Sequence, residues 1–197
     1  AYQIESYFKN IQNHTQTLSE DPSVVAAMQE FATAYRQLQS VQVPDSFDQT
    51  IATYYRDEFL PRLTKVEEGS PILQSYTPKA TASRYLQHHY IAANPQPVGK
   101  KHLFNTAPDN SEYSRLHARY HPIFRKIIEK FGYYDMFLID PQGTIVYTVF
   151  KETDFTSNLD IGPYKDSNLA RLSRLVKESK EKDFSQIVDF APYSPSY

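Results

Sequence analysis

Two histidines one helical turn apart, His117 and His121 in the run His117-Ala118-Arg119-Tyr120-His121, have a spacing at which two imidazoles can share a zinc or copper ion. The glutamate of a zinc-protease motif is missing, because Ala118 follows the first histidine, and no third ligand stands at motif spacing. The pair therefore reads as structural, hydrogen-bonded histidine, with no metal assigned. His88-His89 is weaker, since adjacent helix residues point about 100° apart. No Gly-x-Ser-x-Gly elbow and no phosphate loop occur among the five scattered glycines, and the carboxylate pair Glu67-Glu68 falls at a helix end that faces solvent. The chain has no cysteine, which excludes a disulfide framework, thiol catalysis and a Cys-ligated metal. No catalytic residue and no cofactor are assigned, and any enzymatic output is expected on another part of the parent protein.

A second group of side chains suits binding better than catalysis. Tyr147 is the polar member of one face of a strand, and Lys151 and Asp154 follow at its end. Tyr164 and Asn168 flank the start of the next helix, while Asp189 and Tyr193 sit on a later extended run and its exit. Together they could pair both ends of a small polar ligand, a carboxylate or an amine rather than a nucleotide, between the hairpin strands and the 155–169 loop. The competing reading is a satisfied hydrogen-bond network that pins the Gly162-Pro163-Tyr164 loop.

The elements that must position these residues are legible from periodicity and punctuation. Residues 1 to about 66 carry helical stripes (Ile4, Phe8, Ile11, Leu18; then Val24, Met28, Phe31, Tyr35, Leu38; then Phe47, Ile51, Tyr54, Tyr55, Phe59), separated at Asp21-Pro22 and Pro44. Their glutamine-rich, weakly apolar surface suggests packing on other helices rather than a deep core, and Pro61 should bend or end the third stripe. A turn-rich connection over 69–81 leads to a helix through Ile91 and an extended loop at 94–99. Ser111 can cap a helix to Phe131, with a kink or two abutting helices expected at Pro122 and a stop at Gly132. Residues 133–139 and 144–150 read as the two strands of a hairpin about Asp140-Pro141-Gln142-Gly143, 166–182 as a helix and 184–190 as a third strand. The aromatics Tyr85, Tyr90, Tyr120, Phe124, Tyr133 and Tyr134 read as core.

Composition narrows the class. With 197 residues and a net charge of −2, the chain can build one core, or a core plus a helical extension, and it presents no basic field for nucleic acid. No apolar run approaches the roughly 20 residues that cross a bilayer. The opening run Ala1-Tyr2-Gln3-Ile4 lies inside a helical pattern without an initiator methionine, as expected for part of a larger protein.

From about Arg84 onward, six runs occur in order: RYLQHHYIAANPQPVG, HARYHP, FGYYDMFLID, GTIVYTVFKETDF, GPYKDSNLA and VDFAPYSPSY. In this order they resemble the extracytoplasmic Cache-type (PAS-like) sensor domains of bacterial chemoreceptors, membrane nucleotide cyclases and sensor histidine kinases. The resemblance implies an α+β fold in which a helical stalk (residues 1–66) and a helical lead-in (67–131) precede an antiparallel sensor sheet (132–197). That sheet would have five strands, two of them after Tyr197. It also implies a periplasmic input domain of an inner-membrane receptor, paired as a homodimer through its stalk helices and touching the membrane only through flanking segments. Asp189 is the one position carried over from the family, as partner of a ligand ammonium. The family's Arg-x-Trp carboxylate contact has no counterpart in a chain without tryptophan. Two alternatives stand beside this reading: a structural dimerisation module without a working pocket, and a secreted metal-binding protein using His117 and His121.

Overall fold

The computed structural model describes residues 2–66, 72–189 and 191–195. The Glu67-Glu68 pair and Phe190, at the end of the expected third strand, lie outside them. The class is α+β, rich in helix with one small antiparallel sheet. Among the described residues, no helix is long and apolar enough to cross a membrane.

Helix α1 (Tyr2–Glu20) runs into α2 (Pro22–Leu38), whose start is set by Asp21: its carboxylate accepts from the Ser23 and Val24 amides, and Pro22 occupies the first helical position. The polar surface read for this region holds for one face of α2 only. The other face buries Ala27, Phe31, Ala34, Tyr35 and Leu38, and the Phe31 ring lies 4.9 Å from that of Tyr147. The expectation of packing away from the deep core is corrected by that contact.

Helix α3 (Asp45–Tyr54) does not stop at Pro61. A π-helical turn, Tyr55–Phe59, widens the backbone first, and α4 (Leu60–Val66) continues with Pro61 in its opening turn, where a missing N–H costs least. After the short α5 (Leu73–Tyr76), α6 (Thr81–Gln87) likewise ends in a π turn, His88–Ala92. Helix α7 (Glu112–Phe131) is one helix through Pro122, not two abutting ones. Ser111 Oγ accepts from the Ser114 amide at its start, and Gly132, at φ 68°, turns the chain out at its end.

The sheet is smaller than the sequence suggests. Strand β1 is Phe137–Ile139 and β2 is Ile145–Thr148, antiparallel, with Leu138 opposite Tyr147. Residues 133–136 lie outside β1; the Val149 amide still reaches the Met136 carbonyl at 3.3 Å, but beyond it the Asp135 carboxylate binds the opposite strand, one oxygen accepting from the Met136, Val149 and Phe150 amides and the other from Thr148 Oγ1. The register shifts between Leu138 and Ile139, and the displaced Val146 carbonyl accepts from Tyr113 OH at 2.7 Å instead. Residues 184–189 form no strand, since no backbone ladder lies beside them among the described residues. The last helix, α8 (Asn168–Glu178), is shorter than the expected 166–182 and is capped by Ser167. Both faces of β2 are buried, one against the main core and the other, at Ile145, against Leu159, Tyr164 and Ala170.

Candidate ligand-binding site

The segment Lys151-Glu152-Thr153-Asp154 leaves the end of β2 and carries its charges inward. Lys151 adopts a left-handed backbone (φ 59°), costly for a side chain with a Cβ, and the turn is held by its amide donating to Thr148 Oγ1 at 3.2 Å. Its ammonium donates to the Thr148 carbonyl and lies within an aromatic cage, 4.2 Å from the Tyr147 ring centre, 5.2 Å from Phe155 and 5.9 Å from Tyr90. Burial pushes the Lys151 pKa down and the Asp135 pKa up, while the attraction between the two partly restores their charged forms.

Three residues after Lys151, Asp154 is fully buried. Its Oδ2 accepts from Tyr193 OH at 2.5 Å, and its Oδ1 has no partner among the described residues. Burial raises this carboxyl from the ordinary 3.8 to about 7, against the lowering effect of the Tyr193 hydrogen bond. Glu152, which accepts from Tyr134 OH at 2.6 and 2.8 Å, is raised by burial to about 8. Thr153 Oγ1 and Tyr164 OH are 3.0 Å apart. Gln87 Nε2 holds the backbone of the segment by donating to the Phe155 carbonyl at 2.7 Å, and Tyr55 OH donates to Gln87 Oε1 at 2.8 Å.

The seven residues singled out from the sequence divide into two places. Asn168, Asp189 and Tyr193 line one cavity of about 310 Å³, together with Tyr134, Phe137, Leu169, Val188, Ala191 and Pro192. Asp154 and Tyr164 lie behind it through Tyr193, the two tyrosine rings 6.2 Å apart. The Asn168 side chain donates to the Asp189 carbonyl at 2.7 Å and ties the C-terminal run to the start of α8. Tyr147 and Lys151 are elsewhere. Tyr147 is a core residue, its hydroxyl 2.6 Å from His121 Nδ1. Lys151 faces the aromatic cage and a separate cavity beside the 94–103 loop.

The Gly162-Pro163-Tyr164 loop is held closely at its glycine. Gly162 donates to the Asn158 carbonyl at 2.7 Å, and a Cβ on Gly162 would stand 2.4 Å from that oxygen. Only glycine fits so close an approach.

The imidazoles of His117 and His121 stack at 4.2 Å, but both nitrogens of His121 are engaged: Nδ1 with Tyr147 OH and Nε2 with the His102 carbonyl at 2.7 Å. His117 Nδ1 faces the Asn105 carbonyl at 2.6 Å. Burial drives His121 down to about 2 and His117 well below the ordinary value, so both are neutral. Among the described residues no group of three or more such side chains is placed to hold a metal.

Sequence reasoning missed Asp135, Glu152 and Lys101. Asp135 lies in a run that reads as strand, and an Asp there is itself the signal, because aspartate is disfavoured within strands. Lys101 is 5% exposed, a burial with no local signal in the sequence. Comparison with protein-family models, with curated proteins and with solved structures found no match in any of the three.

Proposed function

We propose that this chain is a Cache-type, extracytoplasmic sensing domain of a transmembrane receptor, and that it binds a small amine-bearing ligand in the cavity lined by Asn168, Asp189 and Tyr193. The observation that carries the reading is Asp154. This carboxyl is fully buried, its Oδ1 has no side-chain partner among the described residues, and it stands behind Tyr193 of the cavity wall, where a ligand ammonium would favour its charged form.

The six runs behind the resemblance also converge on one stretch of chain, residues 147–155. Gln87 binds the Phe155 carbonyl, His121 the Tyr147 hydroxyl, and Asp135 the backbone of Val149 and Phe150. Tyr164 pairs with Thr153, and Tyr193 with Asp154. Motifs that meet around one buried segment support a single sensor module. Ligand occupancy would change how Asp189 and Tyr193 sit against α8, and the long N-terminal helices would pass that change on. Along α1 the exposed Ile4, Tyr7 and Phe8 supply an apolar strip for pairing with a second copy.

A thermal-shift screen with amines, amino acids and small carboxylates tests the assignment, because a ligand that binds only the folded state raises Tm with concentration. The expected result is an amine-bearing hit whose shift is lost in Asp154→Asn and Tyr193→Phe. A hit that survives both substitutions moves the pocket elsewhere. No hit at all favours the structural dimerisation module.

A further inference from the structure

A second cavity, of about 220 Å³, opens between the end of β2 and the 94–103 loop, lined by Tyr54, Arg62, Val98, Gly99, Lys101, Phe150, Lys151 and Glu152. The loop is rigidly built. Asn94 Nδ2 donates to the Tyr90 and Lys101 carbonyls at 2.8 and 3.2 Å, its Oδ1 accepts from the Gln96 amide at 2.9 Å, and a turn closes from the Lys100 amide to the Pro97 carbonyl. A 3₁₀ turn over Lys101–Leu103 then sets Lys101 inward, 5% exposed.

The lining of this cavity holds three cationic side chains and one carboxylate. Lys101 Nζ donates only to backbone carbonyls, Gln96 at 3.2 Å and Asn94 at 3.5 Å, and lies 5.1 Å from the Tyr54 ring centre. Lys151, 2% exposed, donates to the Thr148 carbonyl. Neither lysine makes an ion pair among the described residues. Arg62 pairs with Glu58 at 2.7 Å on the rim. The one carboxylate in the lining, Glu152, is bound by Tyr134 and held toward its neutral acid by burial. Two buried ammonium groups thus face one small space with no carboxylate in contact with either among the described residues, Asp135 acting on Lys151 and Glu58 on Lys101 only from beyond ion-pair distance. Burial accordingly lowers Lys101 to about 8 and lowers Lys151 as well.

We propose that this cavity is a binding site for a small organic carboxylate, with Lys101 and Lys151 as its counter-ions. The proposal is independent of the amine site at Tyr193. At the roughly 30 Å³ that a water occupies in the liquid, the space holds about seven heavy atoms, the size of malonate and smaller than a nucleotide. The carboxylate favours the charged form of both lysines and gives each a partner at contact distance. Tyr54 and Phe150 cover its carbon skeleton.

The test is a Tm titration of the chain with sodium acetate, malonate, phosphate and chloride at constant ionic strength. Malonate is expected to give a saturable rise of about 3–6 °C at ten times its Kd. The shift should vanish in Lys101→Met and persist in Lys177→Met, which alters only a surface pair with Asp160. A shift unchanged in Lys101→Met, equal shifts from chloride, or a response to phosphate alone would each overturn the proposal. Calorimetric titration of the unmodified chain with malonate guards against a Lys101→Met variant that does not fold. Because both ammonium groups lose their protons and Glu152 of the lining gains a negative charge on going from about pH 6.5 to about pH 9, affinity should fall by about tenfold or more. Affinity that does not change with pH refutes the assignment.

Discussion

Replacing Asp154 by asparagine removes a titration while nearly preserving the side chain's shape, and it isolates the group on which the amine site depends. The folded state holds this carboxyl at about 7, against 3.8 for an unperturbed aspartate, with burial as the main cause. A carboxyl raised in the folded state contributes stability that is fully present below 3.8 and is lost as the pH climbs through about 7. Between about pH 5 and about pH 8 the loss spans about two pH units, or roughly 2–3 kcal/mol at about 1.4 kcal/mol per unit. Relaxation around the ionised carboxylate lowers this to about 2 kcal/mol. For a chain of this size that is about 4–8 °C in Tm. Asp135 and Glu152, also raised, push stability the same way, whereas the depressed His88, His117 and His121 oppose them at acid pH and Lys151 opposes them at alkaline pH. The quantity to read is therefore the difference in Tm between wild type and Asp154→Asn, followed from about pH 5 to about pH 8 by scanning calorimetry. It should move by about 4–8 °C in favour of the variant as the pH rises. A difference that stays constant would show that Asp154 does not titrate in this window, and the argument from an unpartnered buried carboxylate would fall with it.

Three further outcomes follow from the packing. Tyr147→Phe leaves His121 Nδ1 buried without its hydroxyl partner, so chemical denaturation should report a loss of about 1–3 kcal/mol with no change in m-value. Gly162→Ala drives a methyl into the Asn158 carbonyl and should cost about 1–3 kcal/mol, whereas a flexible hinge would tolerate it with little change in Tm. Asp135→Ala removes the acceptor of three amides and of the Thr148 hydroxyl; a loss of about 3 kcal/mol or more is expected, with faster hydrogen exchange at Val149 and Phe150.

Features that depend on residues within a few positions of one another are legible in the amino-acid order alone. Ser111 and Gly132 bound α7 because a hydroxyl reaches an amide three residues on and because glycine accepts a positive φ. Asp21-Pro22 starts α2, and the Asp140–Gly143 turn closes on itself with the Gly143 amide donating to the Asp140 carbonyl at 2.8 Å. The absence of cysteine, of a phosphate loop and of a third metal ligand at motif spacing was equally plain.

Only the tertiary structure decided which polar residues meet. Tyr147 has the alternation of a strand residue whichever side faces a cavity, and its place in the core came from Phe31 of α2 and His121 of α7, far away in the chain. Residues 184–189 have strand-like composition, yet a strand exists only where a neighbouring backbone supplies the other half of the ladder. Lys101, Lys151 and Asp154 carry the charge of ordinary surface residues, and nothing local marks them as buried. Their burial results from a loop, a bulged hairpin and a C-terminal run folding over them, and the cost of removing those charges from water is borne by the whole fold.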